Sequence, residues 1–325
     1  MEFGIRVQDS ARRQDISQVL DFLRPKPQPF DLMRVGGNSD GAYLLPNDLE
    51  GISRCFSPGV GDTKIFEDDL LDKFGIESSL LDYSVTGMNF SRPLVPGKQS
   101  FRKKWLSVEA GKDNITIERW IFEENVEGDL ILQMDIEGAE YENILGTSGV
   151  TLRKFRIIVV ELHGVAALMQ SDEGLGKLVG LARHLDGAFM VCHVHANNAV
   201  RPTRVPGAKA LVSDLLEVTL LRRDRVDNNS ALFIRPKLPH KHDIYSNLPG
   251  RKPAYLGKGW ADRGNFLRTL RIRARHWCSY FFVRVRVVFK SLARIGRDLR
   301  DSVYLRSPEK ILEIIRSAHK IIRRP

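Results

Sequence analysis

The sequence predicts an α/β protein: a mostly parallel sheet with helices on both faces, followed by a basic helical extension. Three observations predict it. Short apolar runs alternate with helical stretches up to about residue 222. Several runs, such as Leu130-Ile131-Leu132 and Ile157-Ile158-Val159-Val160, are apolar on both faces, as parallel strands covered on two sides are. The composition then changes abruptly past residue 235, where Pro, Gly, Lys and His take over.

In chain order, Ile16, Val19, Leu20 and Leu23 fall at helical spacing and predict a helix over 11–24. The run Arg24-Pro25-Lys26-Pro27-Gln28-Pro29 ends it, because proline cannot continue a helix and restricts the residue before it. Strands are expected near 53–58, 77–82, 130–135, 156–162, 188–194 and 215–221. The expected organisation is a helix and Pro-rich connector over 1–30, a main domain over 31–235, a linker over 236–262 and an amphipathic extension over 263–325. In the extension, Leu267, Leu270, Ala274, Trp277, Phe281, Val285, Val288 and Leu292 form one apolar stripe. A second stripe comprises Ile311, Ile314, Ile315, Ala318 and Ile322.

Charge separates these parts. The 325 residues carry a net charge of +10, yet residues 251–325 hold 20 Lys and Arg against 5 Asp and Glu, leaving 30 against 35 elsewhere. An acidic domain therefore carries a basic tail. Two readings of the tail stand side by side: an interfacial segment on an anionic membrane surface, or stripes packed on the domain with solvated arginines. Nucleic acid is not expected, because the stripes are too apolar. Cys55, Cys192 and Cys278 show no paired spacing, and the charged N-terminus has no apolar core. A cytoplasmic location is expected, peripheral on the inner membrane face if the first tail reading holds.

The run Cys55-Phe56-Ser57-Pro58-Gly59-Val60-Gly61-Asp62 ends one strand and leads into a helix beginning near Phe66-Glu67. Glycines at such a junction let the backbone approach a ligand closely. About twenty residues on, Asp82 ends the next apolar run, where a carboxylate can accept hydrogen bonds from a ribose. The bland alternative is a tight turn and a solvated loop acid. A dinucleotide site usually has a third glycine, which is missing, and the helix opens on Glu67, Asp68 and Asp69. S-Adenosylmethionine, with no phosphate and a positive sulfonium, suits that setting better.

The most informative segment is Asp129-Leu130-Ile131-Leu132-Gln133-Met134-Asp135-Ile136-Glu137-Gly138-Ala139-Glu140. A buried strand ends in Asp135, then Glu137, then a glycine that permits a sharp turn. Helix capping and a solvated first turn explain Glu140 and Glu142 well, and Glu137-Gly138 less well.

Met134-Asp135-Ile136-Glu137-Gly138-Ala139-Glu140 resembles the Asp-x-Glu-Gly-Ala-Glu signature of the FkbM family of methyltransferases. Arg34-Val35-Gly36, Asp40-Gly41-Ala42-Tyr43, Phe56-Ser57-Pro58-Gly59-Val60-Gly61, Phe66-Glu67 and Val160-Glu161-Leu162-His163 follow in family order. The resemblance implies a Rossmann-like class I methyltransferase with seven strands. It further implies S-adenosylmethionine as donor and O-methylation of a sugar, glycan or other small hydroxyl acceptor. Carried over, Ser57, Gly59, Val60, Gly61 and Glu67 lie along the cofactor, Asp82 holds its ribose, and Asp135 lies near its methionine end and the acceptor.

Polar pairs close three strands: Asp135 with Glu137, Glu161 with His163, and His193 with His195. Residues two apart on a strand face the same way. His163 is the candidate base for the acceptor's proton, with Asp135 or Glu137 orienting the acceptor; a structural, hydrogen-bonded histidine is the competing reading. His195, Asn197 and Asn198 are candidates for binding acceptor hydroxyls. The pattern admits a divalent metal without calling for one, since an edge strand would keep His193 and His195 about 14 Å from Asp135. Two other functions stand as alternatives: an NAD(P)-dependent oxidoreductase, and an inactive methyltransferase fold serving as a membrane-recruited binding module.

Overall fold

A computed structural model describes residues 2–38, 40–86, 90, 92–226, 233–243, 248, 251–252, 254–256, 259–260 and scattered positions from 273 to 290. The chain begins with α1 (Glu2–Leu23) and the strand pair β1 (Leu32–Val35) and β2 (Tyr43–Pro46). β3 (Ile52–Pro58), α2 (Ile65–Phe74), β4 (Glu77–Leu81) and β5 (Gln99–Arg102) follow. A two-residue ladder, β6 (Trp105–Leu106) with β7 (Asn114–Ile115), precedes α3 (Ile117–Glu124) and β8 (Asp129–Met134). Then come α4 (Glu140–Gly146), α5 (Gly149–Leu152), β9 (Phe155–His163), α6 (Val165–Leu168), α7 (Asp172–Asp186) and β10 (Phe189–Ala196). A second short ladder, β11 (Thr203–Arg204) with β12 (Leu211–Val212), leads to β13 (Leu215–Arg222).

Seven strands form one sheet in the order β10-β13-β9-β8-β3-β4-β5. β13 runs antiparallel to both its neighbours, and the pairs from β9 to β5 are parallel. The sheet is therefore mixed, with one reversed strand. All six strands expected from apolar runs are present within two residues at either end. β5 escaped that reading because Gln99-Ser100-Phe101-Arg102, at the edge, has no apolar run.

Side-chain alternation sends each strand's residues into two cores. Phe56, Leu130, Leu132, Met134, Ile158 and Val160 pack with α1, α3, α4 and α7. There Trp120 of α3 meets Phe56 edge-on at 4.9 Å, and Thr116 caps α3 by accepting the Arg119 N–H. On the other side Cys55, Ile131, Ile157, Val159 and Leu221 pack with Phe66 and Leu70 of α2 and with Val35, Tyr43 and Leu45 of the β1–β2 hairpin. The expected helices are present on both faces: α1, α3, α4 and α7 cover one, and α2 shares the other with a hairpin whose four-residue strands are too short for periodicity to reveal.

The Pro- and His-rich segment expected to be a linker lends buried residues to the sheet: Asp243, Ala254 and Trp260, whose indole donates to the Leu211 carbonyl at 2.7 Å. Most of 263–325 lies outside the described residues, and so does the second stripe. Among described positions Arg273 sits 4.8 Å from the ring of Tyr255, and no helix is long and apolar enough to cross a membrane.

Candidate functional site

The carboxyl ends of β3, β4 and β8 are laced together by backbone. Gly59 N–H donates to Leu81 O at 2.8 Å, and Asp135 N–H donates to Pro58 O at 3.3 Å. Gly59, at φ 82°, lies so close to β8 that a Cβ there would stand 1.6 Å from the Asp135 carbonyl oxygen. Gly61, at φ 61°, instead faces open space. Its N–H donates to Asp82 Oδ2 at 2.9 Å, while Asp82 Oδ1 accepts from Ser84 N and Oγ at 2.7 and 2.6 Å. The carboxylate just past β4 thereby holds the glycine turn just past β3.

Below this rim the side chains turn inward. Val60 packs with Leu80 and Phe90. Ser57 and Glu67 are buried, and the Ser57 hydroxyl contacts both Glu67 Oε1 and Gln133 Oε1. Ser57, Val60 and Glu67 therefore support the loop from beneath rather than lining a ligand with their side chains. A single hydroxyl proton cannot serve two acceptors, and a neutral Glu67 supplies the second hydrogen. Burial, outweighing the Ser57 bond, raises the Glu67 pKa to about 7. The other acids at the start of α2 are also engaged within the protein: Asp68 with Lys64, and Asp69 with the Gly36 N–H and Lys73. They do not bias the ligand site by charge, so the sequence argument against pyrophosphate keeps only its missing third glycine.

Glu67 makes stability pH-dependent. Between about pH 4.5 and 7 the unfolded chain has lost a proton that the folded chain keeps, so stability falls as pH rises through this window and is flat above it. The full fall is on the order of 3 kcal/mol. Glu67→Gln is expected to flatten this slope and to gain most over wild type near pH 8. Urea unfolding at pH 5 and pH 8 measures it; an unchanged pH slope in the variant would contradict a neutral, buried Glu67.

Beyond β8 the chain turns through Glu137, a non-glycine residue at φ 56°, and Gly138. Glu140 is completely buried. Its Oε1 accepts from Ile136 N and Gly138 N, both at 3.1 Å, and lies 3.0 Å from His163 Nδ1. His163 Nε2 lies 3.3 Å from Glu137 Oε2 and 3.9 Å from Asp135 Oδ1. Burial opposes charge on His163, but Glu140, Asp135 and Glu137 outweigh it and raise its pKa.

Strand register extends the site sideways. Asp135 follows Met134, which pairs with Val160; Glu161 pairs with Glu217, and Glu217 with His195. Asp135, Glu161, Glu217 and His195 so form a row across four strands, facing the hairpin side. Burial raises the pKa of both Asp135 and Glu161; the charges of Asp135 and Glu217 push Glu161 up further, to about 10, while His163 and the hydrogen bond with Glu161 hold Asp135 lower, so that the pair retains a proton. Burial opposes charge on His195, but Glu217 and Asp243 raise its pKa to about 9. Asp243 also lies 2.8 Å from His193 Nε2. Asn197 donates to Glu161 at 2.9 Å and Asp40 at 3.2 Å, beside the row. Both amide hydrogens of Asn198 go to the Leu248 and Arg251 carbonyls, so this side chain pins the C-terminal segment.

The structure thus brings together Gly59, Gly61, Asp82, Asp135, Glu137 and His163. His193 and His195 stand on the edge strand, three positions from β8, as expected. Sequence reasoning missed Glu140 as the partner of His163, along with Glu217 and Asp243. Glu217 did leave a signal: it is a lone acid within the apolar run Leu215–Leu221.

The strand-end glycines, acids and His163 lie within or beside one matched segment. Residues 60–184 match the methyltransferase FkbM domain. The FkbM domain match runs from the glycine turn to α7, and so contains Gly61, Asp82, the Asp135–Glu140 turn and His163. It implies a Rossmann-like methyltransferase domain, in keeping with the seven-stranded mixed sheet. No curated protein matches the chain.

Proposed function

We propose that the protein is an S-adenosylmethionine-dependent O-methyltransferase acting on a hydroxyl of a sugar, glycan or other small acceptor. The observation that carries the reading is the single rim made by three adjacent strand ends, with Gly59 pressed on Asp135 and Asp82 holding Gly61. The residues fit a cationic nucleoside ligand. Gly61 and Gly138 face open space, Asp82 stands where a ribose would be gripped, and Asp135 Oδ1 is sealed from solvent with no hydrogen-bond partner.

When bound, S-adenosylmethionine supplies an electrophilic methyl group whose C–S bond breaks as the new C–O bond forms. The protein's part is mainly to position the acceptor oxygen in line, since alignment is the larger share of such a reaction. Asp135 orients the acceptor from the strand end. The hydroxyl proton passes to the His163–Glu137 pair, with Glu140 fixing the imidazole from behind. Asn197 and His195 lie further along the row and extend the acceptor side.

Methyl-labelled donor offered to a panel of sugars and other small hydroxyl compounds tests the reading. Label is expected on an acceptor oxygen. His163→Gln is expected to cut transfer by about 10²-fold while leaving S-adenosylhomocysteine affinity nearly unchanged. Label on nitrogen or carbon, or on nothing in the panel, would count against O-methylation.

A further inference from the structure

Asp135, Glu140 and His163 each offer a ligand atom, and these atoms lie within 4.8 Å of one another. Two carboxylate oxygens here have no hydrogen-bond partner although they are sealed from water: Asp135 Oδ1, and Oε2 of the fully buried Glu140. Unpartnered buried carboxylate oxygens are costly, and no donor among the described residues comes within hydrogen-bond distance of these two; His163 Nε2 stops 3.9 Å from Asp135 Oδ1.

The geometry says what kind of partner. Glu140 Oε1 takes the Nδ1 side of His163, which turns Nε2 toward Asp135 Oδ1 at 3.9 Å and Glu137 Oε2 at 3.3 Å. A cation bonded at ~2.1 Å to each atom spans both separations. A carboxylate holding the far nitrogen of a ligating imidazole is the usual support for such a histidine. We propose that Asp135, His163 and Glu137 form a site for one divalent first-row cation of the Mn²⁺ class, with Glu140 as its supporting carboxylate.

Oxygen and imidazole donors together suit such a cation. The ligands come from one turn and one strand end, which leaves the solvent side open for water or an acceptor oxygen. The site's existence is independent of the methyl-transfer reading; its role rests on it. A hydroxyl bound to the cation would be acidified.

The test is a Mn²⁺ titration of the full chain, with free Mn²⁺ followed by electron paramagnetic resonance and S-adenosylhomocysteine binding measured in parallel. One saturable Mn²⁺ per chain is expected. Asp135→Asn and His163→Gln should each weaken it at least about tenfold, and Glu140→Gln by about 10–100-fold. Glu137→Gln, at an exposed position that does not threaten folding, should also weaken it. Asp172→Asn, at an exposed acid paired with Arg12, should leave it unchanged. No saturable Mn²⁺, or binding indifferent to the Asp135, Glu137 and His163 variants, overturns the site. S-Adenosylhomocysteine binding without Mn²⁺ binding removes this proposal alone. The converse keeps the cation site and removes the methyltransferase reading.

Discussion

Gly59→Ala is expected to lose more than about 4 kcal/mol of stability or to yield no folded protein. The added Cβ would stand 1.6 Å from the Asp135 carbonyl oxygen and 2.6 Å from its carbon. Both are backbone atoms, so no rotamer change relieves the clash. The two ends cannot simply part, because the bonds from Gly59 N–H to Leu81 O and from Asp135 N–H to Pro58 O hold β3 to both neighbours. The positive φ adds strain for any residue with a side chain. Gly61→Ala provides the contrast. It shares the left-handed backbone but meets nothing within 4 Å, so only about 1–2 kcal/mol of strain is expected. Urea unfolding of the two variants reads the difference directly. Equal midpoints would mean that β3 does not approach β8 this closely, and the rim would have to be redrawn.

Asp82→Ala is expected to raise the dissociation constant for S-adenosylhomocysteine by about 10–100-fold. Its carboxylate has about four acceptor positions, of which Gly61 N and the two Ser84 donors fill three. One position is free for a ribose hydroxyl, and a second opens when Ser84 Oγ rotates away. A hydrogen bond to a charged group contributes about 1.5–3 kcal/mol, and each 1.4 kcal/mol is about tenfold in affinity. Loss of the Gly61 tether loosens the turn as well. Asp82→Asn keeps a side-chain oxygen for Gly61 and should fall between the two. Isothermal titration of all three proteins decides it; affinity in Asp82→Ala within about threefold of wild type would confine Asp82 to holding the turn.

The strands of the sheet were legible in the sequence because a strand covered on both faces carries an unbroken apolar run, as Leu130–Leu132 of β8 and Ile157–Val160 of β9 do. β5 and the β1–β2 hairpin were not legible. β5 buries only Gln99 fully, and four residues are too few for a period to show. The ends of β8 and β9 announced themselves through Asp135, Glu137, Glu161 and His163, because acids and histidines closing an apolar strand are poorly placed for stability. Glu140 was hidden by its position. At the start of a helix a glutamate reads as a solvated acid, and only the turn through Glu137 and Gly138 folds it under His163. The row from Asp135 to His195 depends on register between strands distant in sequence. Asp243, which joins that row, comes from a segment whose composition suggests no packing at all.

Isothermal titration of the full chain with S-adenosylhomocysteine, with NAD and NADP run alongside, tests the central claim most directly. Saturable binding of S-adenosylhomocysteine alone, abolished or strongly weakened in Asp82→Ala, is the predicted result. No binding of it, or preferential binding of either dinucleotide, would contradict the assignment of the Gly59–Gly61 turn and Asp82 to a methyl donor.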